Sequence, residues 1–280
     1  MNKIQRYKAC VDILLRLVIR NLFLLSIHRR FMGEVVLETP SLTVIQKQLG
    51  SYENLNHLIV CRETLRAAII DPFDGQYWIE YCNVKGYQLE AIWLTHSHWD
   101  HTKGVDDILA VYPQLPIVLH VDEEKRGWNG STAAALTQNK WNYATINVGK
   151  VFVDAYLTPG HTPGHLTFVH PQFIASGDCM FLGRCGRVDL FGGDETDQRT
   201  SLKVLKQLLQ SMDFDALVLP GHRYVLSSGK NPSLLTVGEF LNVNQAILAV
   251  DDDDAWRQLE FLRFDDALAR KALKQKLNQS

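Results

Sequence analysis

The stretch Leu94-Thr95-His96-Ser97-His98-Trp99-Asp100-His101 sets four potential metal ligands within six residues, directly after the apolar run Ala91 to Leu94. His96 and His98 are two positions apart, so an extended backbone sends both imidazoles to one side, where they can share a metal. Asp100 and His101 follow where the chain turns into a helix beginning near Thr102, which carries their side chains toward a neighbouring position. The spacing therefore suits two adjacent metals. A lone histidine on an apolar face is ordinarily a packing residue, whereas H-x-H-x-D-H at a strand end asks for a ligand reading.

Such ligands have to be completed from elsewhere. Three later segments, each just after an apolar run, supply candidates: Pro159-Gly160-His161-Thr162-Pro163-Gly164-His165, Gly177-Asp178 and Leu219-Pro220-Gly221-His222. The intervals are 60 residues from His101 to His161, 17 to Asp178 and 44 to His222, enough for each ligand to arrive on its own strand or hairpin. Loops on one edge of a rigid sheet scaffold are where such sites are built. The simplest assembly gives one metal to His96, His98 and His161, a second to Asp100, His101 and His222, and makes Asp178 the bridge. Imidazole and carboxylate without thiolate suit zinc, with iron or manganese as alternatives.

Around these motifs, short apolar runs bounded by turn residues predict strands at 42–45, 58–60, 67–70, 92–94, 117–119, 151–157, 166–169, 173–175 and 217–219. Helical patterns fall at 74–87, 100–112, 200–211, 234–250 and 254–277, with the run Asp251 to Asp254 capping the last. Alternating strands and helices predict an α/β (α+β) layered domain. The chain divides into a basic amphipathic extension at 1–31, a catalytic domain at 32–229 and a C-terminal helical segment at 230–280. In the extension, Lys3, Arg6, Lys8, Arg16, Arg20, Arg29 and Arg30 face only Asp12, and Asp12, Arg16 and Arg20 interrupt its apolar residues. That is too polar for a spanning helix, and it lacks the unbroken apolar stretch of a secretory signal. It suits a mitochondrial or membrane-surface segment, a helix packed on the body, or a leader before Met32 as the true start.

The 280 residues carry 29 Lys+Arg against 31 Asp+Glu and are 46% hydrophobic, a soluble globular composition with no general field for nucleic acid. Five scattered cysteines without a C-x-x-C pair argue for free thiols in a reducing, cytoplasmic setting, mitochondrial if the extension is a transit peptide. Cys179 and Cys185, near the site in sequence, read as structural thiols.

Taken together, THSHWDH at 95–101, PGHTPGH at 159–165, the Gly177-Asp178 pair and PGH at 220–222 resemble the metallo-β-lactamase-fold hydrolases over roughly residues 42–225. The resemblance implies a four-layer αββα sandwich with the metals at one edge of two packed sheets. It also implies that Asp71 of Ile69-Ile70-Asp71-Pro72 steadies the ligand loops from behind, and His165 is read as another support of this kind, not a ligand. Within that superfamily the motifs are most similar to glyoxalase II, the hydroxyacylglutathione hydrolase. One segment departs: glyoxalase II carries a C-G-x-x-F-E-G type stretch that helps hold glutathione, whereas this chain has Cys185-Gly186-Arg187-Val188-Asp189. That run looks more like the G-R-x-D of small glyoxalase-II-like enzymes and of persulfide dioxygenases, which by resemblance bind one iron through residues matching His96, His161 and Asp178.

The reaction expected is hydrolysis of a small thioester, such as an acylglutathione, by a hydroxide bridging two divalent metals, with Asp100 and Asp178 as the catalytic carboxylates. The alternatives are a mononuclear-iron persulfide dioxygenase, or a lactone, β-lactam or phosphoester hydrolase on the same fold. Arg187 is the candidate for binding a substrate carboxylate, with a structural pairing to Asp189 as its other reading. Residues 123–150, with Lys125, Arg126, Trp128, Trp141 and Tyr143, form a long polar and aromatic connection that could cover the cleft. Arg257, Arg263, Arg270, Lys271 and Lys274 could help hold an anionic carrier, or be solvated helix faces.

Overall fold

A computed structural model describes residues 33–130, 134–262 and 270. The N-terminal extension, Cys10, Met32, Arg263, Lys271, Lys274 and most of the helix expected at 254–277 lie outside the described residues. Among the described residues, no helix is long and apolar enough to cross a membrane.

Two sheets carry the architecture. The first runs in the order β1 (Glu34–Glu38), β2 (Leu42–Leu49), β3 (Asn54–Cys61), β4 (Arg66–Ile70), β5 (Gln88–Trp93), β6 (Ile117–His120) and β7 (Ala134–Leu136). Strands β2 to β4 pair antiparallel, and β4 to β7 pair parallel. The second sheet runs β13 (Leu235–Thr236), β12 (Leu217–Pro220), β11 (Phe173–Gly177), β10 (Leu166–His170), β9 (Val151–Leu157) and β8 (Tyr143–Val148). Its pairings are antiparallel except β11 with β12, which is parallel.

Burial follows the strand periods. Every residue of β3 is buried, as befits a strand covered on both faces, whereas β9 alternates buried and exposed positions. The inner faces meet in one apolar cluster that joins Leu42, Val44, Ile59 and Trp93 of the first sheet to Val153, Phe168 and Phe173 of the second. Trp93 and Phe168 meet across the interface with their rings tilted and centroids 5.5 Å apart.

Helices cover the outer faces. Helix α1 (Gly75–Lys85) begins where the Asp74 carboxylate accepts the Tyr77 N–H at 2.9 Å, and it ends at Gly86 in left-handed backbone. Its Trp78 indole donates to Asn56 Oδ1 on β3 at 3.0 Å, which seats the helix on the first sheet. On the other side, Leu202, Leu205 and Leu209 of a long helix (Glu195–Ser211) form a stripe that packs with Ile174, Val218 and Phe240 behind the second sheet. The result is the four-layer αββα sandwich that the motifs implied.

The structure corrects several sequence boundaries. The helix expected at 100–112 is two short ones, α2 (Trp99–Thr102) and α3 (Val105–Val111), broken at Gly104. Gly104 lies so close to the start of α1 that a Cβ on it would sit 2.4 Å from the Gly75 nitrogen. The long helix, α4, starts at Glu195 instead of near 200, because Asp194 caps it by accepting the Asp197 N–H. The stretch 234–250 divides into β13, α5 (Val237–Val243) and α6 (Gln245–Ala249), and Asp252 caps α7 (Asp253–Arg257). Strand β13 pairs antiparallel with β12 in the second sheet.

Gly104→Ala is expected to destabilise the protein by about 1–3 kcal/mol, since the added methyl meets backbone on the α1 side and cannot be relieved by a rotamer change. A lowered denaturant midpoint at constant m-value is the readout; an unchanged midpoint would mean that the α1–α3 contact is not tight.

Candidate metal centre

The candidate ligands come from strand ends, or from the short helix that follows β5, at one edge of the sandwich. His96 and His98 follow β5, Asp100 and His101 stand on α2, His161 follows β9, Asp178 follows β11 and His222 follows β12. Their donor atoms gather into three overlapping groups that could each hold a metal ion: His96 with His98 and His161, Asp100 with His101 and His222, and His96 with His101 and Asp178. Within each group the ligand atoms lie within 4.8 Å of one another.

The hydrogen bonds behind the histidines decide which nitrogen faces the centre. Asp71, buried and in left-handed backbone at φ 50°, accepts the Thr95 N–H at 2.7 Å, the Thr95 hydroxyl at 2.6 Å and His101 Nδ1–H at 2.8 Å. With its proton given to Asp71, Thr95 Oγ1 must accept from His96 Nδ1, 2.9 Å away. His161 Nδ1–H donates to the Arg187 carbonyl at 2.7 Å, and His222 Nδ1–H to the Tyr52 carbonyl at 2.8 Å. Each of these four rings therefore presents an Nε2 lone pair inward. His101 and His222 bring theirs to 3.1 Å of each other, and His98 Nδ1 lies 2.8 Å from His96 Nε2 and 2.9 Å from His161 Nε2. Nitrogens this close repel through their lone pairs unless a proton or a metal cation sits among them.

Asp178 supplies the matching negative charge. Its Oδ2 is 3.6 Å from His161 Nε2 and 3.5 Å from His222 Nε2, so the carboxylate reaches both of the histidine groups. Its Oδ1, 3.3 Å from His101 Nε2, is buried with no hydrogen-bond donor of suitable geometry among the described residues. A buried carboxylate oxygen left unpaired beside inward lone pairs is what a divalent cation satisfies, and the nitrogen and oxygen donor set fits one.

The electrostatics agree. Burial and the crowding of imidazoles hold His96 and His98 well below the ordinary histidine range, and burial lowers His161. Burial pulls His101 and His222 down as well, but Asp178 with Asp71 lifts His101 above its ordinary value, and Asp178 with Asp100 lifts His222 to about 10. Burial opposes ionisation of Asp178 and Asp100, yet the surrounding histidines hold both below the usual carboxylate range. The centre draws positive charge toward Asp178.

The remaining expected residues occupy supporting positions. His165 is buried, and its Nε2 accepts the backbone N–H groups of Asp178 at 3.1 Å and Cys179 at 3.2 Å, leaving no lone pair for a metal. Arg187 lines the cleft but is held in a two-pronged pair with Asp189 at 2.8 and 2.7 Å. Cys179 and Cys185 are buried free thiols; burial pushes Cys179 up to about 12 and raises Cys185 too.

Other contacts had no signature in the motifs. Asn54, at the start of β3, donates to Asp100 Oδ2 at 3.0 Å and fixes that carboxylate, and Tyr52 orients His222 through its carbonyl. The cleft above the ligands encloses about 540 Å³, with Tyr52, Trp99, Phe181 and Tyr224 as its aromatic surface and Arg184 and Arg187 as its cations. The described residues of 123–150 do not supply this lining. They form part of a 3-10 turn (Val121–Arg126), β7 and β8, and Trp141 instead reaches α4 by donating to Ser201 Oγ at 3.2 Å. Arg257 pairs with Asp254 on the surface at 2.9 Å, and Arg270 is exposed.

Because His222 is lifted to about 10, the metal-free centre is protonated at neutral pH, and a metal must displace that proton to reach the lone pair. Metal uptake at pH 7.5 is therefore expected to release about one proton or more, and affinity to fall as pH falls. Calorimetry in buffers of different ionisation enthalpy measures the release; uptake without protons would refute the charge state assigned to the centre.

A sequence model of the metallo-beta-lactamase superfamily matches residues 58–222. Among solved structures, the BLEG-1 B3 metallo-beta-lactamase is 25% identical, covers 73% of this chain and 99% of its own, and superposes with a TM-score of 0.60. TTHA1623 in a di-iron-bound form is 27% identical over 71% of this chain and 98% of its own, with a TM-score of 0.54. ETHE1 from Myxococcus xanthus shares the fold at 23% identity, over 83% of this chain and 97% of its own, with a TM-score of 0.60. With the match extending from β3 to the last candidate ligand, His222, on a sandwich whose edge gathers a histidine and aspartate cluster, the chain belongs to the metallo-beta-lactamase superfamily.

Proposed function

We propose that this protein is a two-metal hydrolase of a small thioester, with an acylglutathione as the substrate type. The observation that carries the reading is the doubled donor set: a His96–His98–His161 group and an Asp100–His101–His222 group, with Asp178 reaching both. Zinc suits these donors, and the di-iron form of TTHA1623 makes iron the metal to test beside it. Two divalent ions there would supply Lewis-acid activation, acidifying a water toward a pKa of about 7 and polarising a carbonyl oxygen.

The chain's own residues do the rest. Asp178, whose Oδ2 reaches both groups and whose Oδ1 has no hydrogen-bond donor among the described residues, would hold the two ions together. Asn54 holds the Asp100 carboxylate in register with His222, 3.3 Å away. The departing thiolate needs no acid, since a thiol pKa of ~8.5 makes it a competent leaving group near neutrality. Arg184 and Arg187 offer guanidinium donors at the cleft for an anionic carrier, Arg187 by exchanging its pair with Asp189, and the aromatic residues suit the acyl chain. Neither Cys179 nor Cys185 serves as nucleophile, because both are buried and hard to ionise.

Elemental analysis beside two assays tests the reading: hydrolysis of lactoylglutathione, and oxygen uptake with glutathione persulfide. Near two metal equivalents with thioester turnover is the expected result. One iron with oxygen consumption would replace it by a persulfide dioxygenase, the activity that the Gly186-Arg187-Val188-Asp189 run resembles. Asp178→Asn is expected to lose metal and activity together; an active, metal-replete variant would overturn the role given to Asp178.

If Arg187 grips the carrier, Arg187→Ala should raise KM about tenfold or more with little change in kcat, the worth of one charge-assisted hydrogen bond. Unchanged kinetics would confine Arg187 to its pairing with Asp189.

A further inference from the structure

One buried carboxylate lies behind the centre and touches none of the candidate ligand atoms. Glu123, in the turn after β6, is fully buried. Its Oε2 accepts both the backbone N–H of Ser97 at 2.8 Å and the Ser97 hydroxyl at 2.5 Å. Its Oε1 accepts the backbone N–H of Gly164 at 2.9 Å. Ser97 stands between His96 and His98, and Gly164 between His161 and His165. A single side chain thus ties together the two loops that carry the first histidine group.

Two further observations show that the tie is built. Arg126 lies 3.6 Å from Glu123 Oε2, donates to Ser97 Oγ at 3.1 Å and anchors to the Phe191 carbonyl at 2.8 Å, so the buried charge has a cation and fixed donors. Gly164 is packed so closely that a Cβ there would meet Glu123 Cγ and its backbone nitrogen at 2.8 Å. By contrast, the second group is oriented by other residues, Asp71, Asn54 and Tyr52.

We infer that Glu123 is a positioning residue for one half of the centre: it sets the distance between the 96–98 loop and the 161–165 loop, and hence the closure of the His96–His98–His161 group. The inference rests on the metal reading above. It predicts a selective defect, because the same carboxylate touches nothing that orients Asp100, His101 or His222.

The test is titration of apo wild-type, Glu123→Gln and Ser97→Ala proteins with Co2+, followed by visible absorption and calorimetry. Glu123→Gln keeps the shape but turns a donor toward the Ser97 donors; Ser97→Ala removes only the hydroxyl arm and is a milder variant should the first fold poorly. The expected result is two binding steps in the wild type, with one weakened about 10- to 100-fold in Glu123→Gln, less in Ser97→Ala, and the other unchanged. In the double variant, the effects should fall short of additive, since both remove the same tie. Two unchanged steps in both variants, or equal weakening of both steps, would overturn the positioning role. A wild type that binds no Co2+ would instead refute the metal reading on which it rests.

Discussion

The structure turns on a charge problem: a buried carboxylate, Asp178, set among imidazoles whose lone pairs converge on it. Burying one ion without compensation costs several kcal/mol, and converging lone pairs add repulsion to that cost. The fold can hold the arrangement only because its outward contacts are complete. Asp71, Thr95, the Arg187 carbonyl and the Tyr52 carbonyl each take a proton from a ring or pass one along, so the inward faces have no choice of tautomer. Without a metal the centre meets this demand for positive charge with protons, since Asp178 raises both His101 and His222, and a bound cation would take their place.

Rigidity for this comes from the two sheets. Strands β5, β9, β11 and β12 end at the same edge, and the cluster of Leu42, Trp93, Phe168 and Phe173 behind them fixes their separation. Turn-bound ligands would otherwise lose alignment, since a shift of one strand by a fraction of a bond length moves a donor out of reach. Supporting contacts therefore run between loops as well as within them: Glu123 joins the 97 and 164 loops, and His165 holds the backbone of Asp178 and Cys179.

Much of this was legible in the chain because ligands occur as tight local patterns. H-x-H-x-D-H and P-G-H-T-P-G-H each place several donors by backbone period alone, and strand-end positions follow from the apolar runs preceding them. The strands of both sheets were readable for the same reason where burial makes a continuous apolar run. What stayed hidden depends on partners distant in sequence. Asn54 meets Asp100 across 46 residues, and Tyr52 meets His222 across 170, and nothing local marks either pair. Strands β1, β7 and β8 were likewise unreadable: β8 alternates half-buried and exposed positions, and β7 has only three residues. The break at Gly104 reflects crowding by α1, a tertiary constraint that overrides an otherwise continuous helical pattern.

The division of supports has a consequence for how the centre fails. The Asp100–His101–His222 group is tied to β3, β4 and the 52–54 turn, which form the interior of the first sheet or its immediate continuation. The His96–His98–His161 group is tied through Glu123 to a 3-10 turn next to β7, the three-residue strand at the other edge of that sheet. Edge elements open at lower free energy than central strands, so the first group is the one whose geometry local fluctuations disturb. Glu123 thus gives the His96–His98–His161 group a support that the Asp100–His101–His222 group lacks, while Asp71 serves both, bonding His101 directly and His96 through Thr95.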